Sequence, residues 1–315
     1  MPLRDMIEQR YPQTGGLVPA MREQLITVCE AYLANGHGDG NAEQRLRSAD
    51  PNTYWQQLSE ILLAHQLAKA GIAFSHQATG PDFRIDADGR RTWIEVVTPT
   101  PSNIPAGWLG AADGVRDFPH QEILLRWTAA IKAKAEVLLG NADTAGYLAN
   151  GIVAPEDRYV IAVNGRLLRG YDGAFDALFG ISQLPFAVEA TLAIGPLQVR
   201  FDRETLEARE PEHQQRFEIQ KPRGLPVPAD TFLDAQFAPI SAIWATDVNE
   251  FTLLDKHAAM VVVHNPIAIH SVPVGMLPAH DEYVCRTLDA STYQLDRVRG
   301  RTAPPEETSV VVDMP

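Results

Sequence analysis

The 315-residue sequence predicts an α/β fold, a mixed sheet with helices packed on its faces. Three observations lead to this prediction. The Asp88-Gly89 pair lies between two β-prone segments and is typical of a tight hairpin turn. Amphipathic segments of helical length precede and follow this hairpin. Later in the chain come three short apolar runs, as expected of buried strands.

The helices are predicted from their periodicity and their end signals. Residues 18–34 are amphipathic, and the Gly-rich segment 35–41 ends them without the Gly-Lys-Ser/Thr pattern of a phosphate-binding loop. A second helix begins at Asp50 or Asn52, either of which suits an N-cap, and Gly71 ends it. A third helix is predicted over 120–139, with its apolar stripe at Ile123, Trp127, Ile131 and Leu138.

Short apolar runs predict buried strands at 158–165, 241–247 and 259–266, and a strand pair is expected within 171–240. The chain is weakly patterned from about residue 276 onward. We therefore expect a helical N-terminal extension over 1–49, one α/β domain over 50–275 with its core motifs in 50–165, and a partly disordered C-terminal tail over 276–315.

Composition restricts the class of protein. The chain has 40 acidic and 27 basic residues, a formal net charge of −13, which argues against nonspecific coating of nucleic acid. It has no apolar run of the roughly 20 residues that a membrane helix needs, and no signal-peptide pattern at its start. Cys29 and Cys285 match no metal-ligand spacing, so a reducing, cytoplasmic location is expected.

The hairpin brings two acids together. With Asp88-Gly89 as the turn, Phe83 faces Ile94, and Asp82 lands opposite Glu95. Two unit charges about 5 Å apart repel by about 3 kcal/mol at an effective dielectric near 20, and a divalent cation would reverse the sign of this term. Alternatively, the register slips by one residue, or Arg84 and Arg91 neutralise a solvated pair.

Three helical residues are candidates to complete this site. Lys134 falls inside the apolar stripe of the third helix, so it either extends to solvent at the edge of the core or directs its ammonium at Asp82 and Glu95. Arg126 lies eight residues earlier, on nearly the same face. Glu60 borders the apolar face of the second helix and is either a solvated residue or a third carboxylate of the site.

A helix with a glutamate, then Pro81-Asp82, a hairpin, and the strand Ile94-Glu95-Val96-Val97 resembles the PD-(D/E)XK, or restriction-endonuclease-like, nuclease superfamily over roughly residues 50–165. The chain also resembles a group of uncharacterised bacterial proteins that share four short motifs. Here these are GPDF at 80–83, WIE at 93–95, an R-x-T-x-A-x-x-x-K helix at 126–134 and VHNP at 263–266.

The resemblance implies a restriction-endonuclease-like sheet and a nuclease that depends on Mg²⁺ or Mn²⁺ and acts on DNA rather than RNA. By this resemblance Asp82, Glu95 and the backbone carbonyl of Val96 would hold the metal. Lys134 would orient or help to deprotonate the attacking water. Arg126 would contact phosphate, and Glu60 would bind through water or a second ion.

One residue departs from the superfamily pattern. The position two after Glu95 is Val97 where the pattern has lysine. Some members supply the lysine from a neighbouring helix instead, and Lys134 fits that role. Two alternatives stay open. One is a catalytically inactive nuclease-fold binding or interaction protein, which Val97 and the acidic charge favour. The other is a metal-dependent phosphohydrolase that acts on a small nucleotide.

Overall fold

The computed structural model describes residues 2–111, 114, 117–171, 177–208, 210–254, 258–288 and 293–303. The α-helices in these residues are α1 (Leu3–Arg10), α2 (Val18–Ala34), α3 (Ala42–Leu46), α4 (Pro51–Lys69), α5 (Ala106–Leu109), α6 (His120–Leu139) and α7 (Phe186–Thr191). The strands are β1 (Phe83–Ala87), β2 (Arg90–Val97), β3 (Arg158–Asn164), β4 (Ile194–Gln198), β5 (Glu212–Gln215), β6 (Glu218–Ile219), β7 (Val227–Pro228), β8 (Ala242–Thr246), β9 (Met260–His264), β10 (Asp281–Thr287) and β11 (Tyr293–Arg299).

A seven-stranded mixed sheet with the order β1-β2-β3-β8-β9-β10-β11 forms the centre of the molecule. The strands β2, β3 and β8 run parallel, whereas β1 pairs antiparallel with β2 and β9 antiparallel with β8. The helix α6 connects β2 to β3, as a crossover between parallel neighbours requires. The predicted α/β class, a mixed sheet with helices on its faces, is therefore confirmed.

The hairpin forms in the predicted register. Asp88 and Gly89 both have positive φ, 53° and 68°, as a two-residue turn of the type favoured in hairpins needs. The ladder runs from Ala87 opposite Arg90 to Phe83 opposite Ile94. A slip by one residue, which was the alternative, does not occur.

Helices cover both faces of the sheet. One core contains Phe83, Ile94 and Val96 together with apolar residues of α1, α2 and α4. The other contains Trp93 and Ile161 together with apolar residues of α6 and α7. The predicted N-terminal extension therefore contributes α1 and α2 to the core of the sheet. Asp50 caps α4 as expected, since its carboxylate accepts the backbone N–H groups of Asn52 and Thr53.

The C-terminal part of the chain corrects the predicted boundaries. The strands β10 and β11 belong to the central sheet, so a tail that begins at 276 is placed too early. The sequence gives no strand signal here because β11 is an edge strand in which exposed polar residues interrupt the half-buried ones, without a continuous apolar run. Residues 304–315 lie outside the described residues.

Three further expectations can be compared with the structure. The predicted strand pair within 171–240 is present as β4 and β5, although residues 186–191 form the helix α7. Both cysteines are free and buried. None of the helices among the described residues has the length and apolarity needed to cross a membrane.

Candidate functional site

The candidate site lies where β1 has ended and β2 continues. The ladder between the two strands stops at Phe83 and Ile94. The predicted pairing of Asp82 with Glu95 is therefore not part of the ladder. Instead the Asp82 carboxylate reaches one residue further, and its Oδ2 accepts the backbone N–H of Val96 at 2.7 Å. Asp82 is thereby fixed to the edge of β2, one residue from Glu95.

Glu95 and Lys134 meet on the face of the sheet that α6 covers. Glu95 is only 6% exposed, and the Lys134 ammonium donates to its Oε1 at 2.6 Å. The predicted stripe of α6 is buried at Ile131 and Leu138, which turns the intervening Lys134 towards the sheet. Of the two alternatives for this lysine, the structure therefore places the ammonium at the acids.

Glu60 is the third carboxylate of the site. It lies in α4 and is 7% exposed, which removes the alternative of a solvated helix residue. Its Oε2 accepts a hydrogen bond from the Gln57 side chain at 2.8 Å and lies 4.0 Å from the Arg45 guanidinium. Glu60 also lies close enough to Asp82 to feel its charge, since burial and then the charge on Asp82 raise the pKa of Glu60.

The carbonyl of Val96, the third ligand expected from the resemblance, faces α4. It accepts a hydrogen bond from the Gln56 side-chain amide at 3.2 Å. The same amide nitrogen lies 3.4 Å from Glu60 Oε1, and the Gln56 side-chain oxygen accepts the Thr98 N–H at 3.0 Å. Gln56 was not predicted as a site residue, although its spacing of four from Glu60 placed both on one helix face.

Two other residues near the carboxylates were missed. Arg45 in α3 donates to the Gln57 side-chain oxygen at 2.7 Å and to Asp39 at 3.0 Å. His76 lies 3.2 Å from the Asp82 backbone carbonyl through Nδ1, which acts as the donor because a carbonyl only accepts. Both residues precede Asp82 in segments without a distinctive motif, so only the folded chain reveals their position.

Arg126 lies at the margin of the site. Its guanidinium donates to the Thr100 hydroxyl at 3.4 Å, just beyond the end of β2. Within the described residues it forms no ion pair with Glu60, Asp82 or Glu95, so it does not neutralise the carboxylates. The structure thus brings together Glu60, Asp82, Glu95, Val96 and Lys134. Arg126 lies apart from them, next to the loop that follows β2.

Burial raises the pKa values of all three carboxylates, and the charge on Asp82 adds to the effect at the two glutamates. Burial, and then the charge on Asp82, raise the pKa of Glu60 to about 8 and that of Glu95 to about 7. Burial also raises the pKa of Asp82, against the opposing effects of Lys134 and the Val96 N–H. For Lys134, burial lowers the pKa, but Glu95 and Asp82 outweigh it, so the ammonium stays charged.

The site offers few oxygen ligands, and these suit a hard divalent cation. Glu95 Oε2 is buried and has no hydrogen-bond partner among the described residues, which leaves one oxygen of this carboxylate for a ligand. Those residues contain no group of three or more His, Cys, Asp or Glu side chains placed to hold a metal. A cation would therefore rest on Asp82, Glu95, the Val96 carbonyl and water, a set that suits Mg²⁺.

The arrangement combines oxygen ligands with a charged ammonium at the end of one strand. Val97 lies at the position where the resemblance would have led us to expect lysine, and it packs against the core beneath α6. Oxygen atoms of this kind are suited to bind a cation, and an ammonium beside them is suited to orient water or stabilise an anion. No protein-family model, no curated protein and no solved structure matches this chain, so the function is inferred from the geometry of these residues.

Proposed function

We propose that this protein is a metal-dependent nuclease with a restriction-endonuclease-like sheet that hydrolyses phosphodiester bonds of nucleic acid, DNA rather than RNA. The observation that supports it most is the contact of 2.6 Å between the Lys134 ammonium and Glu95 Oε1. It supplies from α6 the cation that Val97 does not supply from β2. Asp82 lies at the same strand edge through its bond to the Val96 N–H.

Asp82, Glu95 and the Val96 carbonyl would hold Mg²⁺ or Mn²⁺. When bound, the ion lowers the pKa of a coordinated water and stabilises negative charge on the scissile phosphate. Glu60, which Gln57 and Arg45 already contact, acts through water or a second ion. Binding of a cation also relieves the repulsion between the three acids.

Lys134 and Arg126 supply positive charge around the reacting phosphate. The Lys134 ammonium is fixed by Glu95, so it orients the attacking water and compensates charge that develops on the phosphate. Arg126, beside Thr100, contacts a phosphate further along the strand. Its position outside the carboxylate cluster agrees with a binding role and not with a ligand role.

The test is cleavage of DNA, RNA and nucleotides side by side, with and without Mg²⁺ or Mn²⁺. We expect metal-dependent cleavage that is lost in Glu95→Gln and reduced about 10²–10⁴-fold in Lys134→Met. Glu136→Gln, which changes an exposed acid on the same helix as Lys134, serves as the matched control and keeps full activity. Equal cleavage by wild type and Glu95→Gln contradicts the proposal.

The same contact favours one alternative, a catalytically inactive binding protein of this fold. An ion pair between Lys134 and Glu95 partly neutralises the acids, so the cluster is stabilised without any metal. Calorimetry with Mn²⁺ separates the two functions, because an inactive scaffold shows no cation binding that Asp82→Asn removes. If nucleotides are cleaved and nucleic acids are not, the protein is a phosphohydrolase of small substrates, in line with its net charge of −13.

A further inference from the structure

The uncharged side chain of Gln56 contacts three polar groups in or beside the candidate site. Its amide donates to the Val96 carbonyl at 3.2 Å and approaches Glu60 Oε1 at 3.4 Å. Its oxygen accepts the N–H of Thr98 at 3.0 Å. We infer that Gln56 is a positioning residue that fixes the Val96 carbonyl and the Glu60 carboxylate for a divalent cation, an inference that rests on the proposed function.

The end of β2 has polar backbone groups that no neighbouring strand satisfies. Because β1 stops at Phe83, the strand edge beyond Ile94 has no neighbouring backbone to pair with the N–H and C=O of Val96 or with the N–H of Thr98. Asp82 takes the first of these groups, and Gln56 takes the other two. Two side chains thus replace the missing strand and fix the direction in which the Val96 carbonyl points.

A side-chain amide has the chemistry that this position needs. A side-chain amide has two N–H donors, so its nitrogen serves both the Val96 carbonyl and Glu60 without leaving either unpaired. A lysine or arginine here would place a full positive charge next to the ligands and compete with the cation. Glutamine orients two oxygen groups and leaves the net charge of the site unchanged.

Gln56 also holds α4 and β2 rigidly together. Gln56 and Glu60 lie one turn apart in α4, and both ends of the Gln56 amide are engaged with β2 or the residue just after it. The side chain therefore connects the helix that carries Glu60 to the strand that carries Glu95. Residues that orient metal ligands in this way change metal affinity by about 10–100-fold when they are replaced.

The experiment measures Mn²⁺ binding to the full chain by calorimetry. We expect Gln56→Ala to bind Mn²⁺ about 10–100-fold more weakly than wild type. Gln44→Ala, which truncates an exposed glutamine of α3, is the matched control and should stay close to wild type. Gln57→Ala removes a hydrogen bond to Glu60 but none to Val96, so it should lose less affinity than Gln56→Ala. If Gln56→Ala does not fold, Gln56→Met fills the same length without donor or acceptor and is measured instead. Thermal unfolding in EDTA detects any loss of folding separately.

The outcomes distinguish this inference from the proposed function. If wild type binds Mn²⁺, Glu95→Gln does not, and Gln56→Ala or Gln56→Met binds as tightly as wild type, only the role of Gln56 is overturned. If Gln57→Ala weakens binding as much as Gln56→Ala, the effect passes through Glu60 and the role at Val96 is overturned. If wild type shows no cation binding at all, both the proposed function and this inference are wrong.

Discussion

At the scale of single residues, Asp82 combines two functions that are separable. Its Oδ2 accepts the Val96 N–H, which stabilises the end of the hairpin, while its negative charge raises the pKa values of Glu60 and Glu95. An asparagine keeps an acceptor oxygen in this place and removes the charge. An alanine removes both.

This separation gives a prediction for stability. In EDTA, Asp82→Asn should be more stable than Asp82→Ala by about 1–3 kcal/mol, because only alanine leaves the N–H of Val96 without its acceptor. Urea denaturation measures the free energy of unfolding of both variants. Calorimetry should show that both have lost Mn²⁺ binding. Equal stability of the two variants would mean that the hydrogen bond to Val96 contributes little.

At the scale of secondary-structure elements, the hairpin turn determines which acids approach each other. Gly89 has φ of 68°, in the left-handed region, and a Cβ at this position meets no other atom within 4 Å. The cost of a side chain here is therefore one of backbone conformation and not of collision. Asp88 tolerates positive φ because a short polar side chain is among the few that do so.

We predict that Gly89→Ala lowers the free energy of unfolding by about 1–2 kcal/mol, the cost of a left-handed conformation for a residue with a Cβ. Gly40→Ala is the control, because a Cβ there also meets nothing within 4 Å and Gly40 has no positive φ. Urea denaturation of both variants measures the difference. A similar change in both would show that the turn conformation is not the cause.

Local sequence signals predicted some of these elements and not others. The helices α2, α4 and α6 and the register of the hairpin were predictable, because their caps, periodicity and turn residues are local signals. The approach of Lys134 to Glu95 followed from helix periodicity combined with the resemblance. The contacts of Gln56 were not predictable, since they join α4 to residues about 40 positions later in the chain.

Three elements differ from the expectation for physical reasons. The strand pair expected within 171–240 is β4 and β5, but residues 186–191 directly before it form the helix α7, which is buried throughout, so no polar face marks a helical period. The strands β10 and β11 are rich in charged residues. Ion pairs between the two strands, such as Arg297–Asp281 at 2.6 Å, compensate these charges. A charged edge protects a sheet from association but hides the strand in the sequence.

At the scale of the whole molecule, the acids of the site make stability depend on pH. In the folded protein the pKa of Glu60 is raised to about 8 and that of Glu95 to about 7, mainly by burial and by Asp82. In the unfolded chain both titrate near the ordinary pKa of glutamate, about 4.3. Between these values the folded state holds more protons than the unfolded state, so stability falls as pH rises.

We predict that, in EDTA, the temperature of unfolding is lower at pH 8 than at pH 5.5, and that Mg²⁺ restores part of the loss at pH 8 because it binds the ionised acids. Thermal unfolding at both pH values, with and without Mg²⁺, measures this. In Glu60→Gln the difference between the two pH values should shrink. An unchanged difference in that variant would assign the pH dependence to other groups.

The position of β10 and β11 in the sheet has a consequence for synthesis on the ribosome. Every described residue of the candidate site precedes β3, yet β9 receives its second neighbour only when residues after 280 have been translated. Until then the Met-Val-Val-Val-His strand has one open side, and apolar unpaired strands of this kind promote aggregation. The nascent chain therefore carries an open apolar strand edge in the interval between translation of the site residues and completion of the sheet.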